Sequence, residues 1–466
     1  GGPALNKHGD VEVRKLVVSG ESHNRICIVF LGDGYVSGQR DLFFEDAQRY
    51  ANNLTQTSSF KSVSPLFNVS AVFVPSAESG VSSKDVKKDT FYRLFRSSPH
   101  RIHMTSSWRY WTAKSACRLA GKLDFFVLMA NDDYYGGTAN EDHVLVSRSM
   151  SAGWMTLRHE LGHIFAGVGE EYDGEDYYLG ANSSSKIQVP WYHWLSDPSK
   201  CVRQHACQRL RKSGCAELAA EGWAFDFKSD GTYARWNLEF CVTLGSLRVF
   251  LDGQELEAVV SSRVETGSLA EGLLSPPRKF AFQHAAGLAP GSHKLLFKVA
   301  ETEASQAERG KLSFVELVEY GSEDEFRTEP DYIGAYPTWT SDGRELYRPT
   351  RKLCFMRNIH SDMLCPVCKE AVWLKLLAKV SLIDAVDVTR EDGLTSLSVR
   401  TLALEPLEVS WEKDGVSQDD LRSKRSVTLP EKESLGCWVV QVAFRTPEVR
   451  KDEKRRLISQ KSFTLK

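Results

Sequence analysis

The chain has 466 residues, 26% of them charged, and a net charge of -2 with acids and bases interspersed. That balance excludes a basic footprint for nucleic acid and a polybasic membrane anchor, and no run of about 18 apolar residues is present to span a bilayer. An apolar content of 42% suffices for a large core, and the length predicts two to four domains.

Ile26–Leu31, Asn68–Pro75 and Leu123–Ala130 are short β-rich apolar runs, each ending near Gly, Pro, Asn or Asp. Between the first two, Phe43, Phe44, Ala47, Tyr50, Ala51 and Leu54 recur at helical spacing. This strand-helix-strand order predicts an α/β unit over roughly the first 150 residues. Leu31–Tyr35 follows a strand as phosphate loops do, but it lacks the Gly-Lys-Ser/Thr ending, so Asp33 reads as a turn residue and Gly34 as the source of an unusual backbone angle. His143–Ser149 alternates and is expected to be an edge strand. Residues 196–236 read as loop and carry Cys201, Cys207 and Cys215. From Cys241 to Tyr320 the pattern alternates around an Asp-Gly turn, which predicts a β-rich insertion. The chain then reads as loop up to a helix over Pro366–Lys379, and the remainder as a small immunoglobulin-like β-sandwich. The expected divisions are 1–236, 237–320, 321–379 and 380–466.

The chemistry concentrates in Arg158–Gly174, RHELGHIFAGVGEEYDG. On a helix, residues four apart share a face, so His159 and His163 reach one ion, and two imidazoles suit zinc. Glu160, one residue along, stands beside that ion as a general base. A catalytic zinc needs a third protein ligand and an open position. The helix is expected to stop at Gly167 or Gly169. Glu170 just beyond is the favoured third ligand, with Glu171 as the reserve or as a partner orienting a histidine. Tyr172 offers a further donor to an oxyanion, although packing after the turn is the plainer reading.

This stretch resembles the IgA-specific metallo-endopeptidase family, a zinc peptidase group related to the metzincins. Further pieces agree in order: the Gly-Asp-Gly-Tyr within Ile28–Tyr50, then Val72–Ser83, Phe125–Gly137, and the Tyr-Arg-Pro, Cys-x-Met and Cys-Pro-x-Cys elements within Leu346–Val372. The resemblance implies an α+β zincin-like (metzincin-like) catalytic domain, here with the β-rich insertion and the C-terminal β-sandwich. It implies one catalytic Zn2+ held by His159, His163 and Glu170, and Met356 as the methionine of a turn beneath the metal. A methionine there makes a polarizable apolar floor, with plain core packing as the alternative. In metzincins a glycine stands three residues after the second histidine and the last ligand, usually a histidine, six after. Here Gly167 and Glu170 each sit one residue late, and the ligand is a carboxylate.

The expected activity is therefore that of a zinc metalloendopeptidase acting on protein or peptide substrates. The alternatives are a non-catalytic adhesion or binding protein on a zincin scaffold, which Glu160 argues against, and a zinc hydrolase of a non-peptide substrate. No Gly-x-Ser-x-Gly elbow supports a serine hydrolase. Ten cysteines and three sequons, at Asn53, Asn68 and Asn182, favour a secreted, disulfide-bonded glycoprotein whose signal peptide has been removed. Cys354, His360, Cys365 and Cys368 have the types for a structural zinc, but a disulfide from Cys354 to Cys365 or Cys368 is favoured. Cys27, in an apolar strand, is expected to be a buried thiol. The oligomeric state has no signature.

Overall fold

In the computed structural model the described residues are 11–98, 101–174, 180–199, 203–217, 222–244, 247–257, 259–263, 278–299 and 311–466. They divide into two units. The first comprises the residues up to Arg148, then Gly153–Val168 and Ile359–Lys466; the second comprises Ser149–Ala152 and Gly169–Asn358.

In the first unit the apolar runs become strands because they are buried on both faces. The elements are β1 (Glu12–Val17), β2 (Ile26–Asp33), α1 (Arg40–Gln56), β3 (Phe67–Phe73), α2 (Ser107–Cys117), β4 (Phe125–Ala130), β5 (Gly137–Ala139), β6 (His143–Ser147) and α3 (Gly153–Ala166). The sheet runs β1-β3-β2-β4-β6-β5. β3, β2, β4 and β6 are parallel, and antiparallel β1 and β5 close the two edges. Val29, Leu31, Val72, Phe126 and Leu128 face the small residues Ala113 and Ala116 of α2. On the other face Phe30 meets Tyr50 of α1, ring centroids 6.3 Å apart. The expected edge strand is thus corrected. His143–Ser147 is interior and fully buried, and the edge is the three-residue β5. Asp33, expected in a turn, is the last residue of β2; it is buried and accepts hydrogen bonds from Thr90 Oγ1 and from the Tyr92 and Leu94 amides, which fixes the segment 90–94 against the strand's end.

The chain re-enters this unit at Ile359 and then forms α4 (Pro366–Leu376), which packs on α3. Arg158 of α3 donates to Asp362 Oδ1 at 2.5 Å and to the Ile359 carbonyl at 2.6 Å, tying α3 to the segment leading into α4. Beyond α4, a three-stranded and a four-stranded sheet with alternating burial form a sandwich-like body around Leu397, Val409, Trp411, Trp438 and Val440. It is fastened to the α/β part by Arg25, buried, which grips Asp384 at 2.6 and 2.9 Å, and by Trp373, whose Nε1 donates to Glu448 Oε2 at 2.6 Å.

The second unit is rich in strands. A five-stranded sheet (206–217, 311–320, 235–244, 278–284, 259–263) and a four-stranded sheet (223–229, 291–299, 247–251, 254–256) share a core of Leu238, Phe240, Leu295, Phe297, Val315 and Leu317. The strand-rich part therefore starts at Ala206, not 237, and 196–236 is not all loop. A hairpin of Tyr336–Trp339 and Glu345–Arg348 follows.

Two signals for secretion lose their support. Among the described residues no disulfide is formed, and the expected bridge from Cys354 to Cys365 or Cys368 is absent although all three are buried. Cys27 and Cys117 are packing thiols, whose ionisation burial pushes upward. Cys201 and the side chain of Cys215 lie outside the described residues. Of the sequons, Asn68 and Asn182 are buried and their carboxamides hydrogen-bond within the chain, so neither has room for a glycan in the folded chain. Asn53 is half-buried on α1.

Candidate metal centre

Leu157, Leu161, Ile164 and Phe165 bury one side of α3, and the ring of Phe165 stacks on Phe67 of β3 at 5.2 Å. With that side committed to the core, His159 and His163 share another. Their rings stand 5.0 Å apart and nearly perpendicular. His159 is buried and His163 half-buried. The helix ends because Gly167 takes φ +64°, a left-handed angle that costs glycine nothing. The reversal brings the Val168 carbonyl to 2.8 Å from His163 Nδ1. A carbonyl only accepts, so Nδ1 carries the proton, and Nε2 is left with a lone pair for a metal.

His159, His163 and Glu170 each place one ligand atom so that all three lie within 4.8 Å of one another. Two imidazoles and a carboxylate fit a catalytic zinc by donor type. Glu160, half-buried, sits one residue along from His159. Gly137 of β5 lies close over it: a Cβ there would be 3.7 Å from Glu160 Cγ, 2.6 Å from Thr156 Cγ2 and 2.9 Å from the Leu145 carbonyl. Only glycine lets the edge strand approach α3 this closely.

Glu171 turns to other partners. Its amide donates to the Met356 carbonyl at 3.1 Å, its carbonyl accepts from Arg357 Nη1 at 3.2 Å, and its Oε1 accepts from Asn182 Nδ2 at 2.9 Å. Met356 is fully buried and holds this turn through its backbone. Tyr172 is half-buried. Next along, Asp173 accepts from Thr338 Oγ1 and the Trp339 amide and pairs with Arg357 at 2.8 Å. Burial works to raise the Asp173 carboxyl, but Arg357, Arg348 and those hydrogen bonds outweigh it and hold it below its ordinary value. Sequence reasoning did not find Asn182, Asp173 or Arg357. Asn182 carried a signal, but one that pointed to glycosylation.

Residues 14–201 match the family model described as IgA Peptidase M64, which spans α3 and Glu170 and ends before Met356. No curated protein matches the chain. Among solved structures, a GH2 β-galacturonidase from Eisenbergiella tayi with bound glycerol matches at 15% identity over 48% of this chain and 32% of its own, with a TM-score of 0.15. A β-glucuronidase from Ruminococcus gnavus matches at 9% identity over 53% of this chain and 36% of its own, with a TM-score of 0.12. The chain spans about a third of the length of these enzymes, and at such TM-scores neither carries an argument.

Proposed function

We propose, from the match of residues 14–201 to the family model described as IgA Peptidase M64, that the protein is a zinc-dependent endopeptidase with a zincin-like catalytic domain. The observation that carries this reading is the convergence of His159, His163 and Glu170, with Glu160 on the same helix.

A zinc ion held by these three side chains supplies Lewis acidity toward water and the scissile carbonyl. The remaining work falls to the chain. His163 keeps its tautomer through Val168. Glu160 takes a proton from the attacking water and delivers it to the leaving amine. Glu171 serves in positioning the turn, which leaves the ligand role to Glu170. β5, an edge beside Glu160, offers backbone groups to an extended substrate, and Tyr172 a hydroxyl to the developing oxyanion. Action outside the cell rests on the family alone. Among the described residues no helix is long and apolar enough to cross a membrane. The substrate is a protein or peptide whose sequence the family's name does not set.

Elemental analysis is expected to show bound zinc, with one equivalent per chain lost in His159→Ala and His163→Ala. Glu160→Gln is expected to retain zinc and to lower kcat on a mixed peptide library by at least about 10²-fold. A Glu160→Gln chain that cleaves at the wild-type rate would refute the role of the base. A zinc-loaded wild type inert toward every peptide would move the protein to a non-catalytic scaffold or a non-peptide hydrolase.

A further inference from the structure

We propose that Asn182 is the positioning residue for the third metal ligand, its carboxamide clamping the turn that carries Glu170; this rests on the metallopeptidase reading above. Asn182 is 0% exposed. Its Oδ1 accepts from the Gly169 amide at 2.8 Å, and its Nδ2 donates to the Gly169 carbonyl at 3.0 Å and to Glu171 Oε1 at 2.9 Å. Both hydrogens of the carboxamide are therefore used. Gly169 is buried, so its amide and carbonyl each require a partner. A carboxamide satisfies both at once, much as a peptide group on a neighbouring strand does. A carboxylate cannot donate, and an alkyl group can do neither.

Glu170 stands between the two residues so held. On one side Gly169 is pinned through both backbone groups. On the other, Glu171 is pinned through its amide by the Met356 carbonyl, through its carbonyl by Arg357, and through its side chain by Asn182. The backbone from which the Glu170 side chain springs is thus fixed on both flanks before any metal arrives. Outer partners of this kind set how tightly the inner ligands bind. The Asn-Ser-Ser sequon at 182 is accounted for by this clamp, because a glycan would need both the buried volume and one Nδ2 hydrogen.

Asn68 provides an internal control. It also heads a sequon, is buried, and clamps a loop by accepting from the Ser19 amide and donating to the Gly20 carbonyl, both at 2.8 Å, but it belongs to β3 and holds no metal-bearing turn. The test titrates the metal-free full chain with zinc against a chelating competitor and records the visible spectrum of the cobalt-substituted protein. Asn182→Ala and Asn182→Asp are expected to weaken zinc binding by about 10- to 100-fold and to change the cobalt spectrum. Asn68→Ala is expected to unfold at lower temperature while binding zinc as the wild type does. Asn182→Asp keeps the size and the acceptor, so it decides the matter if Asn182→Ala does not fold. Wild-type affinity and spectrum in Asn182→Asp would overturn the proposal, as would an equal loss of affinity in Asn68→Ala. A wild-type chain that takes up no zinc would overturn the metallopeptidase reading and this proposal together, an outcome distinct from the other two.

Discussion

Asp142 and His143 form the hinge between a surface turn and the buried start of β6. Asp142 Oδ2 accepts from Lys114 Nζ at 2.8 Å and Tyr110 Oη at 2.7 Å, and its Oδ1 lies 2.9 Å from His143 Nδ1. Burial alone pushes the Asp142 carboxyl up, but these partners bring it down to about 2 from an ordinary 3.8. A depressed carboxyl contributes stability above its ordinary value and loses it as pH falls through its folded value, so the window runs from about pH 4 to 2. The amount is about 2 kcal/mol. Burial lowers the His143 imidazole, so the unfolded chain takes up that proton first as pH drops below about 6.5. Both groups therefore favour unfolding in acid. Urea unfolding across pH should show the wild type losing stability in these two stages, and Asp142→Asn should remove the lower one; an unchanged slope below pH 4 in Asp142→Asn would refute this. At this scale the candidate ligands His159 and His163 are legible because one helical turn fixes their spacing. Asn182 is not, because its meaning lies in Gly169 and Glu171, more than ten residues away.

β5 shows how little sequence an important element needs. Gly-Thr-Ala has no periodicity, so nothing marks it as a strand, whereas the interior β6 alternates and invites reading as an edge. β2, β3 and β4 were plain because both of their faces are apolar and turn residues bound them. Trp223–Ser229 carried a fair signal, with Trp223, Phe225 and Phe227 alternating with Ala, Asp and Lys, but the nearby cysteines drew the segment into a loop assignment. Close packing of β5 over α3 leads to a prediction. Gly137→Val would press a side chain against the Leu145 carbonyl, which cannot yield, and lift the strand from Glu160. We expect a loss of about 1–3 kcal/mol in stability and, at temperatures where the variant is fully folded, a lower kcat/KM. Unchanged kcat/KM in the folded variant would separate β5 from substrate handling.

Across the whole first unit, the sandwich of the residues beyond 380 is bound into the same body as the α/β part. Arg25 and Trp373 bury polar groups whose partners, Asp384 and Glu448, lie beyond residue 380. A chain ended at Lys379 would leave a buried guanidinium without its carboxylate, and we expect it to show no cooperative thermal transition by calorimetry. A sharp transition in that truncated chain would mark the sandwich as a separable module. The order of the chain adds a constraint in time. α3 packs on α4, yet the two helices lie about 200 residues apart, with all of the strand-rich second unit but Ser149–Ala152 between them. During synthesis α3 leaves the ribosome about 200 residues before its packing partner exists, so the first unit closes late, through contacts of very high sequence separation. A nascent chain that has not yet reached α4 therefore holds the His159–His163 helix without its packing partner, so any chemistry that depends on that helix is delayed until the later segment has emerged.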